Sequence, residues 1–357
     1  MISLVQLFIA PAYIAPNNLI MDPVSKDYSL KPYNSFHIEA NARYYADFST
    51  VDELAELYNR FPQNRKLILG GGTNLLFTKD FDGLVLKNEI KGMELVSEDS
   101  QYVYVRAGGG ENWHGLVLYS LQRNWQGLEN LSLIPGSVGA APIQNIGAYG
   151  VELKDFLYEL EAFDTEENKT FEFSVNDCEL SYRDSVFKNR YRNRFVILNV
   201  TFRLNKIPKF HASYDLLAEE LNSMGVEELS AKKISLAVIH IRTSRLPDPA
   251  IIGNAGSFFK NPVLSILEYK NLKKINPLAP GFPQTEGFVK LPAAWLIEQC
   301  GWKGYRLGDA GCHVNQPLVL VNYGKASGRE IFELSEKILA SVKAAFGIVL
   351  EREVNII

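Results

Sequence analysis

Along most of the chain, apolar positions recur with the period of a helix or alternate as they do in strands. Thr50-Val51-Asp52-Glu53 has the form of a capping box, and the segment that follows, to about Phe61, has helical spacing. The stretch NWHGLVLYSLQR predicts a second, amphipathic helix. The longest predicted helix runs from about Arg329 to Phe346 and ends at Gly347, and its apolar face carries Ile331, Leu334, Ile338, Val342 and Phe346.

Short apolar and alternating runs predict strands that occur in clusters. Strands are expected at KLIL, DGLVLK and YVYVRAGGG and, between Tyr158 and Leu204, at LYELEAF, KTFEFS and FVILNVTFRL. Farther on, PAAWLIEQCG predicts a short helix that ends at Gly301, and strands follow at QPLVLVN and IVLEREVNII. Because the strands cluster rather than alternate regularly with helices, the pattern predicts an α+β fold. The polar, proline-bearing segment TSRLPDPAI predicts a domain boundary.

The segment from Gly127 to Gly150, GLENLSLIPGSVGAAPIQNIGAYG, has no charged residue between Asn130 and Val151. Prolines, polar amides and five glycines interrupt it, which excludes a membrane-spanning helix. The glycines allow positive φ and close approach, so the loop offers backbone N–H groups to an anionic or flat ligand. Since its own side chains supply no acid or base, the loop predicts cofactor binding.

Two further glycine turns lack the spacing of the common nucleotide-binding loops. Neither GGGTNL, at 70–75, nor GGGENW, at 108–113, has the third glycine of GxGxxG. The sequence GxxxxGK[ST] does not occur. The spacing therefore excludes the Rossmann fingerprint and the Walker loop.

Composition narrows the class of protein. The chain has 357 residues and a formal net charge of −4, which argues against general nucleic-acid binding. Its three cysteines are far apart, which fits a reducing compartment rather than a disulfide framework. There is no CxxC or HExxH and the five histidines are scattered, so no metal site is predicted.

The first 28 residues allow three interpretations. They are apolar at the start, but no Lys or Arg precedes Lys26, so the positive region of a secretory signal is missing. Pro11 and Pro16 interrupt the apolar run. We expect residues 1–28 to be a poorly ordered extension, or Met21 to be the natural start; a weak anchor is the third interpretation.

Seven motifs occur in one order: LILGGGTNLLF, GLENLSLIPGSVGAAPIQNIGAYGVELKD, SYRDSVFK, GNAGSFFKNP, VKLPAAWLIEQCGWKG, NQPLVLVN and VLEREV. Together they resemble the UDP-N-acetylenolpyruvoylglucosamine reductase family, in its longer subtype, from about Ser29 to the C-terminus. The resemblance implies an FAD-binding fold of the vanillyl-alcohol oxidase type with two subdomains, at 29–245, joined by a C-terminal strand at 347–357. It also implies a C-terminal α+β substrate-binding domain at 246–346.

The resemblance implies an enzyme that binds FAD without a covalent link. A cytoplasmic location is expected, and the sequence leaves the oligomeric state open, with a monomer favoured. NADPH would reduce FAD, and the flavin would pass hydride to C3 of the enolpyruvyl ether of a UDP-sugar. Neither nucleic acid nor membrane is an expected partner. The residues expected to hold FAD lie on the two glycine loops: Gly70, Gly71, Gly72, Thr73, Asn74, Leu75, Pro135, Gly136, Ser137, Gly139, Ala140, Ile143, Gln144, Asn145, Gly147, Ala148 and Tyr149.

Three residues match the family's catalytic groups. Ser257 matches the proton donor to C2, where a weak acid suffices because the enolate-like species is a strong base. Arg183 matches an arginine that would hold the substrate carboxylate. Glu353 matches a glutamate that would polarise this carboxylate, with a raised pKa if it is buried. Strand alternation places it on one face with Glu351. Without the resemblance, these would be a turn serine, a surface arginine and a solvated acid.

The resemblance also implies substrate contacts, with Tyr214 on a loop that closes over the UDP part and the others being Arg242, Arg245, Asn261, Lys290 and Gln316. Two positions depart from the family: Arg245 stands where relatives often have Lys, and Asn355 stands where they commonly have Arg. The competing functions are an oxidase with covalently attached flavin and a catalytically silent flavin- or UDP-sugar-binding protein. The absence of His and Cys from the two glycine loops disfavours the oxidase.

Overall fold

The computed structural model describes residues 22–284 and 287–357. The α-helices are α1 Val51–Arg60, α2 Trp113–Gln122, α3 Asp215–Ser223, α4 Ala231–Arg245, α5 Ile266–Ile275, α6 Ala293–Gln299 and α7 Gly328–Phe346. The strands are β1 Ser25–Ser29, β2 Asn41–Phe48, β3 Lys66–Leu69, β4 Leu75–Leu76, β5 Phe81–Asn88, β6 Met93–Glu98, β7 Tyr102–Gly108, β8 Gly147–Ala148, β9 Val151–Glu152, β10 Leu157–Asp164, β11 Lys169–Ser174, β12 Phe195–Asn205, β13 Gly253–Ser257, β14 Val263–Ser265, β15 Phe282–Pro283, β16 Phe288–Lys290, β17 Arg306–Leu307, β18 Ala310–Cys312, β19 Val319–Asn322 and β20 Asn355–Ile356.

The first sheet has the order β1-β2-β5-β3, in which β5 runs parallel to both β2 and β3. α1 connects β2 to β3, so this part of the chain contains a parallel crossover. The side chain of Thr50 caps α1 by accepting from the N–H of Glu53 at 3.2 Å. The predicted reciprocal bond is displaced by one residue, because the Glu53 carboxylate accepts from the N–H of Ser49 instead.

The second sheet is antiparallel and has the order β11-β10-β12-β7-β6. On one face it packs against α2, where Trp113 contacts Phe202 edge to face at 5.8 Å. Buried residues of β10 and β12, Phe163 among them, share one cluster with Leu54 of α1 and Leu84 of β5. The two sheets are therefore joined by a common core.

The third sheet, β13-β19-β18-β17, lies in the C-terminal part of the chain. α7 begins with a capping box from Ser327 to Glu330 and ends at Gly347, whose φ of 71° is left-handed. The buried face of α7 belongs to one apolar cluster with residues of the first sheet and of the loop before β2, for example Val85 and Phe36. The C-terminal part therefore packs directly on the N-terminal part.

Two expectations about the chain ends need correction. The predicted extension at 1–28 extends too far, because Ser25–Ser29 form β1 and pair with β2; residues 1–21 lie outside the described part. The predicted final strand is mostly wrong, because only β20 joins a ladder, parallel to β4. Before it, Arg352 makes a single bridge to Phe259, and its side chain turns to Ser335 and Glu336 of α7.

Candidate active site

Three glycine turns approach one another closely through their backbones. A Cβ placed on Gly71 would lie 2.7 Å from the Cα of Gly136, and one on Gly139 would lie 3.0 Å from the Cα of Gly109. The N–H of Gly139 donates to the carbonyl of Gly109 at 2.8 Å. The turn at 108–110 therefore packs against the long glycine loop and hydrogen-bonds to it, although sequence reasoning did not include this turn in the site.

The exposed side of this cradle fits an anionic, flat ligand such as FAD. Within the described residues, the backbone N–H groups of Gly71, Gly72 and Thr73 donate to no protein acceptor, and the hydroxyl of Ser137 is buried without a partner. Gly136 has a φ of 131°, a backbone conformation that favours glycine. Free N–H groups in a glycine turn form a nest for phosphate oxygens.

Asn74 joins the first glycine turn to the rest of the site. Its Nδ2 donates to the side-chain oxygen of Gln144 at 2.7 Å and to the carbonyl of Glu353 at 3.3 Å. Its own carbonyl accepts from both the backbone and the side chain of Asn355. Asn355 thus helps to hold the C-terminal segment against the glycine turn.

Arg183 lies at the tip of a tight turn that Ser181 and Asp184 close. Its φ of 55° is unfavourable for a residue with a side chain, so the surrounding contacts must hold the turn. One such contact is the Nδ2 of Asn145, which donates to the carbonyl of Ser181 at 2.9 Å. The turn presents the guanidinium of Arg183 toward the long glycine loop and the C-terminal segment.

The guanidinium of Arg183 makes two contacts there. Its Nη2 donates to the carbonyl of Gly147 at 3.0 Å. Its Nε lies 2.9 Å from Oε1 of Glu353, but without hydrogen-bond geometry, so this second contact is an ion pair. The Glu353 side chain is only 11% exposed. Two residues 170 positions apart in the sequence therefore meet beside the glycine loop.

Burial and three nearby cations shift the pKa of Glu353 in opposite directions. Burial raises the pKa of Glu353, while Arg183, Lys188 and Lys260 lower it. Desolvation dominates, so the pKa lies above its ordinary value and the carboxyl group is poised to take up a proton more readily than a surface glutamate.

Ser257 ends β13, opposite Val319 of β19. Gly256 before it has a φ of 69°, and a Cβ at that position would meet nothing within 4 Å. The serine hydroxyl makes no hydrogen bond within the described residues. The next residue, Phe258, accepts at its carbonyl from the N–H of Glu353 at 2.9 Å. The backbone after Ser257 is thus paired with the segment that carries Glu353, and the space beside Ser257 is open.

Tyr182 is a residue of this site that sequence reasoning missed. Burial raises its pKa, and the positive charge of Arg183 and the neighbouring Asn261 act in the opposite direction. The ammonium group of Lys290 lies 4.9 Å from the centre of its ring. Burial lowers the pKa of Lys290, and the nearby positive charge of Arg183 lowers it further. The turn of Arg183 therefore also gathers Asn261 and Lys290, two of the expected substrate contacts.

The other expected substrate contacts lie around Tyr149 of the glycine loop. Its ring meets that of Tyr214 edge to face at 5.8 Å, and Tyr214 is 46% exposed. The hydroxyl of Tyr149 interacts with Arg242, whose Nε is buried without a partner. Arg245, on the same helix, is exposed, and its charge acts on Tyr149.

Gln316 lies in the turn before β19, where its carbonyl accepts from the N–H of Val319, the strand partner of Ser257. Leu75 and Asn145, both expected to hold FAD, have side chains that are buried within the protein. Leu75 is buried in the core on β4, and Asn145 is fully buried and bonded to Glu152, Lys154 and Ser181. Contact with a cofactor would therefore come from their backbone.

No helix in the described ranges is both long and apolar enough to cross a bilayer. Nor do the residues of 22–284 and 287–357 include a group of three or more histidines, cysteines and acids placed to hold a metal ion.

Residues 248–357 match the family described as "UDP-N-acetylenolpyruvoylglucosamine reductase, C-terminal domain", and residues 42–173 match "FAD binding domain". The chain is 49% identical over 330 residues to a UDP-N-acetylenolpyruvoylglucosamine reductase from Amoebophilus asiaticus, covering 92% of this chain and 97% of the relative. A reductase of the same name from Pseudomonas fluorescens is 47% identical, with 93% and 98% covered.

A crystal structure of UDP-N-acetylenolpyruvylglucosamine reductase from Thermus caldophilus superposes with a TM-score of 0.65 at 21% identity, over 93% of this chain and 97% of that one. This similarity shows a shared fold. Together with the match to an FAD-binding domain, it confirms the predicted α+β chain with an FAD-binding part.

Proposed function

Because the chain belongs to the UDP-N-acetylenolpyruvoylglucosamine reductase family, we propose that it reduces the enolpyruvyl ether of UDP-N-acetylglucosamine-enolpyruvate to UDP-N-acetylmuramate, for peptidoglycan precursor synthesis. The two glycine loops would hold FAD, which would supply the hydride chemistry that links NADPH to C3 of the enolpyruvyl group. One observation carries the proposal. Arg183 contacts the carbonyl of Gly147 on the cofactor loop and also the buried carboxyl group of Glu353.

The roles of these two residues follow from the charge that the reaction creates. Addition of hydride at C3 leaves electron density at C2, which spreads into the substrate carboxylate. A guanidinium stabilises this charge by paired N–H donors, so Arg183 is the proposed carboxylate ligand. Glu353, whose pKa is raised by burial, holds the guanidinium in place and polarises the same carboxylate, directly or through water.

Ser257 is the proposed proton donor to C2. The open space beside Gly256 and the absence of a hydrogen-bond partner for the hydroxyl within the described residues support this role. The proton moves from Oγ to C2, and the alkoxide regains a proton from water. A donor held by other protein groups would have to break those bonds first, whereas this hydroxyl is free to turn toward substrate.

The cationic surroundings support an anionic nucleotide sugar as the substrate. Lys290 lies over Tyr182 beside Asn261, and Arg242 lies beside Tyr149, so positive charge surrounds the approach to Arg183. Lys290 acts on the diphosphate as a point charge. Tyr214, exposed and in contact with Tyr149, is placed to close over the UDP part.

All of these groups come from a single chain, which supports a monomer as the active form. The three cysteines are free thiols, which supports the cytoplasm as the compartment. Size-exclusion chromatography with light scattering tests the first point: a stable dimer that loses activity on dilution would contradict it.

The test of the proposed function is an assay of NADPH consumption by the purified, FAD-loaded protein. Consumption that depends on the enolpyruvyl UDP-sugar, with UDP-N-acetylmuramate as the product, is the expected result. NADPH consumption that needs only molecular oxygen and does not depend on the UDP-sugar would contradict the proposal. Flavin that stays on the polypeptide after acid precipitation would favour an oxidase with covalently attached flavin instead.

A further inference from the structure

Lys188 is a cation near Glu353 to which neither the sequence nor the proposed function assigns a role. It lies five residues after Arg183, and its ammonium group donates to the carbonyl of Arg183 at 3.2 Å. The side chain is half-buried. A lysine that turns back onto the carbonyl of a left-handed residue is placed to hold the turn in its unfavourable conformation.

The charge of Lys188 is also less compensated than that of its neighbour Lys260. Lys260 forms an ion pair with Glu351 at 2.6 Å. Within the described residues, no carboxylate lies within ion-pair distance of Lys188; Asp184, Glu351 and Glu353 act on it from farther away. Glu353 is faced by Arg183, Lys188 and Lys260, with Tyr182 as the nearby neutral group. Lys188 thus supplies a second positive charge behind the Arg183–Glu353 pair.

We propose that Lys188 is a positioning residue for this reaction: it fixes the turn of Arg183 through the carbonyl oxygen and places an uncompensated positive charge behind the Arg183–Glu353 pair. This inference rests on the proposed function. It adds a residue that contacts neither substrate nor cofactor but acts through the two groups that do.

Two substitutions separate the two roles. Lys188→Gln keeps a donor for the Arg183 carbonyl but removes the charge, whereas Lys188→Met removes both. Removing the positive charge makes Glu353 harder to ionise. The part of a pH profile that follows the ionisation of Glu353, called its limb below, therefore moves to higher pH in both variants, by on the order of one unit. This direction holds whether the active form of Glu353 is protonated or ionised.

The limb is measured in two ways: in the pH profile of kcat, and in the pH dependence of calorimetric binding of the enolpyruvyl UDP-sugar to the oxidised protein without NADPH. Glu353→Gln identifies the limb by abolishing it. Lys188→Arg, which keeps the charge, should leave its position unchanged. Lys260→Met is the matched control, and it should move the limb less because Glu351 already compensates Lys260.

We expect Lys188→Gln to retain more of kcat than Lys188→Met, with the same shift of the limb. A folded Lys188→Gln protein whose limb stays at the wild-type pH would overturn the inference alone, as would an equal shift in Lys260→Met. A wild-type protein that neither binds nor reduces the enolpyruvyl UDP-sugar would overturn the proposed function itself.

Discussion

Gly71→Ala tests whether the two glycine loops form the FAD site by direct backbone contact. The added Cβ would lie 2.7 Å from the Cα and 3.1 Å from the carbonyl carbon of Gly136, whereas ordinary contacts begin near 3.4 Å. Both atoms belong to the backbone, so no side chain can rotate away. The φ of Gly71 is not left-handed, and steric overlap is therefore the only penalty.

The magnitude follows from this overlap. The loops must separate by about 0.7 Å at this point, and overpacking of this kind costs about 1–3 kcal/mol. If FAD binds only to the closed arrangement, its dissociation constant rises roughly 5- to 150-fold, since each 1.4 kcal/mol corresponds to a factor of ten. Titration of the apoprotein with FAD, followed by quenching of flavin fluorescence, measures this constant.

Gly115→Ala is the matched control. It makes the same chemical change in α2, where the nearest atom to the new Cβ is 3.7 Å away. FAD affinity should be unchanged, and the helix should be slightly more stable. If Gly71→Ala bound FAD as tightly as the wild type, the contact between the loops would not form part of the cofactor site.

Two further predictions concern the site, and a third concerns Glu129, a buried residue in the segment that begins at Gly127. Ser257→Ala should leave reduction by NADPH intact but slow reoxidation by the enolpyruvyl substrate by up to ~10⁴-fold in stopped-flow absorbance; reoxidation near the wild-type rate would remove its role. Asn74→Ala loses two hydrogen bonds, each worth about 1 kcal/mol. It should therefore weaken FAD binding roughly tenfold or more in the same titration. Asn271→Ala, on the exposed face of α5, is the control and should leave FAD binding unchanged. Glu129→Gln should raise the melting temperature at neutral pH but not below pH ~4. Glu129 is 1% exposed, and burial raises the pKa of its carboxyl group. The wild type therefore loses stability as pH rises from the ordinary pKa of a glutamate to the raised one, whereas a glutamine side chain does not titrate. An advantage that did not change with pH would contradict this.

Local pattern predicted several elements correctly because their periodicity is strong. α2, α7 and the strands β10 to β12 form where the apolar spacing placed them. α3 and α4 were missed, since polar and basic residues interrupt their apolar stripes and the region was interpreted as a substrate loop and a linker. In α4, Ile234, Ala237, Val238 and Ile241 do form a buried stripe with helical spacing, which was the available signal.

Other features depend on contacts that no local pattern records. The parallel pairing of β5 with both β2 and β3 joins segments that are not adjacent in the chain: Ala42 pairs with Phe81, and Lys66 pairs with Leu84. The last segment alternates like a strand, but its neighbour β4 offers a partner for two residues only, and α7 attracts Arg352.

The resemblance to a family selected Arg183, Ser257 and Glu353 from short motifs. It did not select Tyr182 or Lys188, although both lie in the same SYRDSVFK motif as Arg183. Their roles depend on which way the turn faces: Tyr182 meets Asn261 and Lys290 across the site, and Lys188 folds back onto the Arg183 carbonyl. The direction of a turn is set by tertiary contacts, such as that of Asn145 with Ser181.

The central claim is that the chain reduces an enolpyruvyl UDP-sugar in two successive half-reactions at one site. The direct measurement is anaerobic mixing of the FAD-loaded protein first with one equivalent of NADPH and then with UDP-N-acetylglucosamine-enolpyruvate, while flavin absorbance is recorded. We predict that NADPH bleaches the flavin and that the second addition restores its absorbance with formation of one equivalent of UDP-N-acetylmuramate. Flavin that NADPH reduces but that stays reduced after the UDP-sugar is added would contradict the account.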